Sequence, residues 1–326
     1  MKKISTEAND LISRAKIAVV VPAHNEEKNI SSVIKNIPKF VDFIVVVNDL
    51  STDNTSKILK SLEKKNKRLV VIHHKKNQGV GGAIASGYQW ARDNEMDAAV
   101  VMAGDGQMDP NDLLQLLEPV ICENVNYTKG NRLLYPGSID LIPKVRFWGN
   151  SVLSLLTKVA SGYWHVSDSQ CGYTVIDKEA LNTISWKDMY KRYGQPNDLL
   201  VSLNIHNFTV KDIPVKPLYD VGEKSGIKIR KVFFSISWLL TRRFFNRMKI
   251  KYIIMDFHPL VFFYFIAFLL TAASLVLLGR VLWVANLYGY APPMTSMAFM
   301  FTATTSLQSF FFAMWMDMEA NKSLKG

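Results

Sequence analysis

Four short apolar runs punctuate the first hundred residues: Lys16–Val21, Phe43–Val47, Arg68–His73 and Ala98–Met102. They are continuous rather than alternating, which marks strands buried on both faces, as in a parallel sheet. Ile30, Val33, Ile34 and Ile37 then fall at helical spacing, predicting a helix from Asn29 to about Ile37. A second helix is expected over about Thr55–Lys65, with a charged outer face, and a third from Gly82 to about Ala91. This β-α-β-α alternation with short links predicts an α/β fold with a doubly wound, mostly parallel sheet. After Gly130 the pattern turns irregular, with a helix around Trp148–Ala160 and two strand-like pieces within His206–Tyr219. Residues 130–228 read as the second half of the same domain.

The C-terminal part follows another rule. Pro259–Gly279 is 21 residues without a charge, and a bilayer span needs about 20 apolar residues. A second uncharged run, about Met294–Met316, ends before Asp317, with Asn286–Pro293 as the connecting turn. Arg280 closes the first run, where a long side chain can reach the interface. The expected division is a domain over 1–228, a basic amphipathic segment over 229–256 and a two-helix transmembrane hairpin over 257–326. The competing reading is two core helices of a soluble protein.

Charge fits the membrane reading. Of the formal +11, eight Lys/Arg and no acid lie between Lys228 and Lys251. A basic cluster beside an apolar span suits anionic lipid head groups rather than nucleic acid. Phe233–Met248 mixes apolar and basic residues and is expected to lie along the interface. Basic residues flank the first span, the tail ends ANKSLKG and the turn has none, which places the domain and both termini in the cytosol. The N-terminus has no apolar h-region and reads as no signal peptide. An integral protein of the plasma (inner) membrane is therefore expected. Five N-x-[ST] tripeptides, among them Asn54-Thr55-Ser56, would point to a lumenal domain, but charge topology outweighs them. Cys122 and Cys171 are too isolated for a disulfide framework or a zinc site.

Candidate chemistry sits at the strand ends. In DAAVVMAGDGQMDP, Asp97–Pro110, a buried strand runs into Gly104-Asp105-Gly106-Gln107. The carboxyl end of a central parallel strand is where open α/β sheets bind ligands. Asp105 is thus either a metal–phosphate ligand or the cap of a turn. Gly79-Val80-Gly81-Gly82 fails the dinucleotide fingerprint, because its last glycine would fall on Ile84. No P-loop, nucleophile elbow or zinc-protease motif occurs. His73-His74 read as a solvated strand end, and His165 and His258 as packing residues. There remain strand-end acids, Glu26, Asp49 and Asp105. Acids at a phosphate site are commonly bridged by Mg²⁺ or Mn²⁺, since carboxylates repel phosphate directly. That combination suits a nucleoside-diphosphate ligand.

The ordered series VVPAHNEE, VNDLSTDNT, NQGVGGA, GDGQMDP and GNR resembles the inverting family 2 glycosyltransferases. Among these it is similar to the dolichol-phosphate mannose synthase and polyprenyl-phosphate hexosyltransferase group, over about residues 16–235. The resemblance implies a GT-A-like nucleotide-binding domain that moves a hexose from GDP-mannose or a UDP-hexose to a polyprenyl or dolichyl phosphate. It implies that Pro22, Ala23, His24, Glu26 and Gly79 line the nucleotide pocket and that Asp49 holds the base or ribose. Asp105 and Gln107 would bind the metal, Mg²⁺ or Mn²⁺. Arg132 would face the phosphates, and the loop with Lys224 and Ser225 would close over them. Asp105, Arg132 and Lys224 would thus carry catalysis. Arg146, Asp168, Asp198 and Ser225 would serve the acceptor side.

Three positions depart from the family pattern. Ala103 stands where its D-x-D motif has an acid, Asn48 replaces the first acid of Val-Asp-Asp, and Gly172-Tyr173-Thr174 replaces Gly-Phe-Arg. Two rival functions are a processive polysaccharide synthase, which usually carries a Q-x-x-R-W motif absent here, and a non-catalytic membrane-anchored nucleotide-binding protein. Oligomeric state is left open, a homo-oligomer included.

Overall fold

The computed structural model describes residues 6–137, 144–218 and 229–326. Contacts divide the chain into two units, Met1–Phe244 with Ser323–Gly326, and Phe245–Lys322.

The first unit is built on a seven-stranded sheet. In chain order its elements begin α1 (Thr6–Arg14), β1 (Ile17–Ala23), α2 (Ile30–Asn36), β2 (Phe43–Asn48), α3 (Thr55–Glu63), β3 (Leu69–His73), α4 (Val80–Asp93) and β4 (Ala98–Val101). They continue with α5 (Leu113–Cys122), β5 (Tyr127–Asn131), α6 (Lys144–Ser161), β6 (Thr174–Asp177), α7 (Lys178–Thr183), α8 (Gln195–Ile205) and β7 (Val210–Pro214). Strand order is β3-β2-β1-β4-β6-β5-β7. The apolar runs feed both faces alternately. Val20, Val45, Val47, Ala99 and Val101 enter one core, while Val19, Val21, Ile44, Val46 and Val100 enter the other.

The sheet is mixed, not wholly parallel. β6 runs antiparallel to both β4 and β5, with Val101 opposite Thr174, whereas β5 and β7 are parallel. The reversal brings the segment entering β6, Asp168–Tyr173, to the rim where β1, β2, β4 and β5 end. Neither β5 (YTKGN) nor β6 carries an apolar run that marks it in the sequence, and among the described residues the stretch after His206 holds one strand rather than two.

Close packing of α4 on β1 depends on one glycine. A Cβ on Gly87 would overlap the Val20 methyls. Gly87→Ala gains about 1 kcal/mol of helix propensity, but overpacking a core typically costs about 1–3 kcal/mol. A lower melting temperature is expected for Gly87→Ala, with partial recovery in the Gly87→Ala/Val20→Ala double variant.

The basic segment forms α9 (Ile229–Lys249). In the second unit, α10 (Leu260–Tyr288) and α11 (Pro293–Ala320) pack as a hairpin, each long enough to cross a membrane. Small and hydroxylated residues make the seam: Thr271 Oγ1 lies 2.7 Å from Ser306 Oγ, which donates to Ala267 O at 2.9 Å. Most of the remaining surface is apolar, with Val276 74 % and Phe301 70 % exposed. Core helices of a soluble protein would bury such side chains, and this exposure does not match that reading. At the base of the pair, Arg247 donates bidentately to Asp317 at 2.8 and 2.9 Å, and Tyr252 and Asn321 complete the cluster. His258 packs on Tyr252 and its Nδ1 accepts from Leu260 N at 3.3 Å, a packing role as expected.

Candidate active site

The first two strand ends are laced together by backbone and short polar side chains. β1 stops at Ala23, whose carbonyl accepts from Asp49 N, and His24 Nδ1 lies 2.9 Å from Asp49 O. Asn25 turns the chain with φ +60°, its Oδ1 accepting from Thr52 N at 2.8 Å. Glu26 N donates to Thr55 Oγ1 and Glu27 N to Asp53 Oδ2. Pro22, Ala23, His24 and Glu26 are thereby fixed beside Asp49.

Asp49 has a more specific task than the sequence suggests. Its Oδ1 accepts from His74 and from Gln78 N, both at 2.7 Å, and its Oδ2 from Gly79 N at 2.7 Å. The side chain is almost fully buried. A carboxylate so engaged tethers the 74–79 loop and the start of α4, so its contact with a base or ribose would have to share these bonds. Gly79 has φ +80°, and a Cβ there would strike the Lys191 carbonyl, so glycine is required. His74 is not solvated: its Nε2 lies 2.9 Å from Ser86 Oγ, so it bridges Asp49 to α4. His165, by contrast, packs edge-on against Tyr163 and bonds Val210 O at 2.9 Å, a packing role.

Asp105, Gln107 and Arg132 line one cavity of about 260 Å³, with Gln170, Tyr193 and Gln195 on its other walls. Asp105 Oδ1 accepts from Gln107 N at 2.9 Å, the turn cap that its position allowed. Oδ2 has no hydrogen bond among the described residues. Burial raises the Asp105 carboxyl above the usual carboxylate range, and backbone bonds only partly oppose this. A half-buried acid that forms no ion pair among the described residues fits a site for a cation. Among the described residues no three His, Cys, Asp or Glu side chains converge as a metal cage. Ala103 contributes only its N–H, to Met108 Sδ at 3.2 Å.

Arg132 follows β5 and is held in a fork by Asp168: Nε to Oδ2 at 2.7 Å, Nη2 to Oδ1 at 3.0 Å, and its backbone N to Oδ2 at 3.2 Å. Burial alone would raise the Asp168 pKa, but the charge and hydrogen bonds of Arg132 hold it below the usual value. Asp168 is thus a positioning residue for Arg132 in this structure, rather than a group facing an acceptor. Beneath it, wholly buried Lys129 donates to the Cys171 carbonyl, and burial lowers its pKa. Nearby, Asn131 Nδ2 and Ser167 N donate to Asp212 Oδ2. No sequence signal singled out Lys129 or Asp212.

Asp198 is also interior. It is fully buried on α8, accepts from Tyr190 N at 2.8 Å, and is paired bidentately with Arg243 of α9. This makes it a clamp between α8 and α9, not an exposed acceptor contact. Arg146 lies in the first turn of α6 and its side chain is outside the described residues, as are Lys224 and Ser225.

The half-sheet β3-β2-β1-β4 thus carries at its carboxyl rim an acid–Gln turn that shares one cavity with a braced arginine. A family model described as glycosyl transferase family 2 matches residues 18–185, over half the chain, and the chain belongs to that family. It is similar to the UDP-N-acetylglucosamine–dolichyl-phosphate N-acetylglucosaminyltransferase of Methanococcus voltae, 33% identical over 216 residues, 62% of this chain and 86% of that one. A dolichyl-phosphate beta-glucosyltransferase of Trichomonas vaginalis is 27% identical over 215 residues, 60% of this chain and 62% of its own. Among solved structures, glucosyl-3-phosphoglycerate synthase of Mycobacterium tuberculosis, in complex with Mn²⁺, UDP and glucosyl-3-phosphoglycerate, superposes with TM-score 0.58 at 18% identity. It covers 77% of this chain and 86% of that one, a likeness of fold. The GT-A-like fold and the glycosyltransferase class expected from the sequence are both borne out.

Proposed function

We propose that the protein transfers a hexose from a nucleoside-diphosphate sugar to a polyprenyl or dolichyl phosphate at a membrane surface, with inversion at the anomeric carbon. The observation that carries this reading is the shared cavity of Asp105, Gln107 and the braced Arg132 in a chain that also bears two apolar helices long enough to cross a membrane. One relative's name carries UDP-N-acetylglucosamine, which puts that donor first among candidates; GDP-mannose is the other donor to try.

Asp105 and Gln107 offer hard oxygen donors, the type Mg²⁺ and Mn²⁺ take, with diphosphate oxygens and water completing the coordination. Bound there, the metal would neutralise charge on the departing diphosphate. Arg132 adds a second, fixed positive charge, preorganised by Asp168 so that little reorientation is needed during reaction. The lipid phosphate is already anionic near neutral pH, so the chain need supply no general base. The bond from the anomeric carbon to the diphosphate oxygen breaks while a bond to the lipid phosphate oxygen forms on the opposite face. Holding the two anions in line is the protein's main contribution. Arg146, Lys224 and Ser225 are the residues we assign to capture of the acceptor and closure over the phosphates.

The first unit contains chain from both sides of the hairpin: Lys325 pairs with Val210 of β7, and Gly326 N donates to Val210 O. By the distribution of basic residues we assign the catalytic unit to the cytosol and the helices to the plasma membrane. A panel of UDP-N-acetylglucosamine, UDP-glucose and GDP-mannose, each with polyprenyl phosphate and Mg²⁺ or Mn²⁺, tests the reading. A glycolipid is expected from one donor and none after EDTA treatment; activity undiminished by EDTA would remove the metal from the mechanism.

A further inference from the structure

The cavity carries two amides whose bonding is incomplete. Gln195, the first residue of α8, is 3 % exposed, yet its Nε2 has no hydrogen-bond partner among the described residues. A buried N–H donor left unsatisfied costs free energy comparable to a lost hydrogen bond, so such a group calls for a ligand. Gln170, on the loop entering β6, is oriented from behind. Its Nε2 donates to Ser169 Oγ and Asn197 Oδ1, each at 3.2 Å, and Asn197 Oδ1 also accepts from Thr157 Oγ1 at 3.2 Å. With its nitrogen so used, Gln170 has its Oε1 carbonyl left to offer, and no hydrogen bond reaches that oxygen among the described residues.

Both side chains line the cavity that Asp105, Gln107 and Arg132 line. A sugar attached to a diphosphate held at those residues must extend toward the remaining walls. We propose that Gln195 and Gln170 form the recognition subsite for the donor sugar. Gln195 Nε2 donates to an oxygen on the ring, and Gln170 Oε1 accepts from an O–H or N–H. One donor and one acceptor complement either a ring hydroxyl or a 2-acetamido group. An apolar wall could not tell sugars apart strongly, whereas buried amides reject a sugar that leaves them unpaired.

This inference rests on the proposed function, and calorimetry separates the two. UDP, UDP-glucose and UDP-N-acetylglucosamine are titrated into the full-length wild type, Gln195→Leu and Gln195→Glu, in detergent with Mg²⁺. The expected result is about a tenfold or greater loss of UDP-sugar affinity in both variants, as deletion of a buried hydrogen bond implies, with UDP affinity within about twofold of wild type. Loss confined to UDP-N-acetylglucosamine assigns the contact to the acetamido group, and equal loss for both sugars assigns it to a hydroxyl. Unchanged UDP-sugar affinity, or equal weakening of UDP and UDP-sugar, overturns the subsite. Gln195→Glu keeps the shape and swaps donor for acceptor, so a fold defect in the leucine variant alone does not hide the answer. Failure of the wild type to bind UDP, and GDP in a parallel titration, would instead overturn the proposed function.

Discussion

Replacing Asp105 by Asn is expected to lower kcat/KM for sugar transfer by about 10²–10³-fold, the scale of losing a major electrostatic contributor to a transition state. Asp105 is the sole acid of the D-x-D pair of positions, because Ala103 stands at the other. Stability should move the other way. Burial raises the Asp105 pKa in the folded state, so the folded protein holds that proton more tightly than the unfolded chain does. The ionised carboxylate therefore costs stability at any pH above its folded pKa, and neutral Asn removes the cost. A melting temperature equal to or above that of wild type, together with lost activity, is the pattern of a functional site. Adding Mg²⁺ or Mn²⁺ with UDP should raise the wild-type melting temperature and leave that of Asp105→Asn unmoved. A variant that loses activity and stability together would mark Asp105 as a structural turn cap.

Asp168→Ala is expected to damage both activity and stability. It removes the fork on the Arg132 guanidinium and the acceptor for the Arg132 backbone N–H. Breaking one side of a buried, hydrogen-bonded pair costs about 2–4 kcal/mol, less than for a wholly buried pair because Arg132 is partly solvated. Activity should fall through kcat more than through donor KM, since Arg132 remains present but no longer aimed. The sign of the pH dependence is set by the lowered Asp168 pKa. The unfolded chain binds that proton more readily, so the contribution is full above the unfolded value near 3.8 and is lost as pH falls through the folded value. Wild type should therefore lose stability on acidification below about pH 4 more steeply than Asp168→Ala, as read by thermal melts across pH.

Legibility in the sequence followed local pattern. β1, β2 and β4 were readable because nearly every side chain in them is buried, and β3 because its half-buried Val70, Val71 and Ile72 keep the run apolar, which leaves each as an apolar run with polar punctuation. β5 was not, since Lys129, Gly130 and Asn131 serve burial and bonding at the rim rather than a repeating face. β6 escaped because its neighbours in the sheet lie far away in sequence. The same limit governs the site. Motif order drew attention to Asp105 and Arg132, which line one cavity, and Asp49 stood out as a strand-end acid. Its partners His74, Gln78 and Gly79 lie 25–30 residues on, so its role as a loop tether needed coordinates. The family resemblance put Asp168 and Asp198 on the acceptor side, and in the structure each is half of an ion pair. Gln195, inside YGQPNDLL, carries no motif at all, and only its burial with an unpaired nitrogen makes it conspicuous.

The hairpin was legible by length and charge. Its observed helices, Leu260–Tyr288 and Pro293–Ala320, exceed the spans expected from uncharged runs alone. Arg280 and Asp317 ended those runs in the sequence, yet both lie within continuous helix. Helix continuity depends on backbone bonding, and Asp317 is neutralised in place by Arg247.

The central claim is transfer of a sugar to a lipid phosphate, and partition of labelled sugar measures it most directly. Purified protein is incubated with UDP-N-acetylglucosamine or another sugar-labelled donor of the panel, Mg²⁺ and polyprenyl phosphate, and the organic phase is counted. Label is expected in that phase only when the lipid carries its phosphate, with equimolar nucleoside diphosphate released and the anomeric configuration opposite to that of the donor. Binding or hydrolysis of the donors without any lipid-linked sugar, in an active reconstituted preparation, would contradict the account.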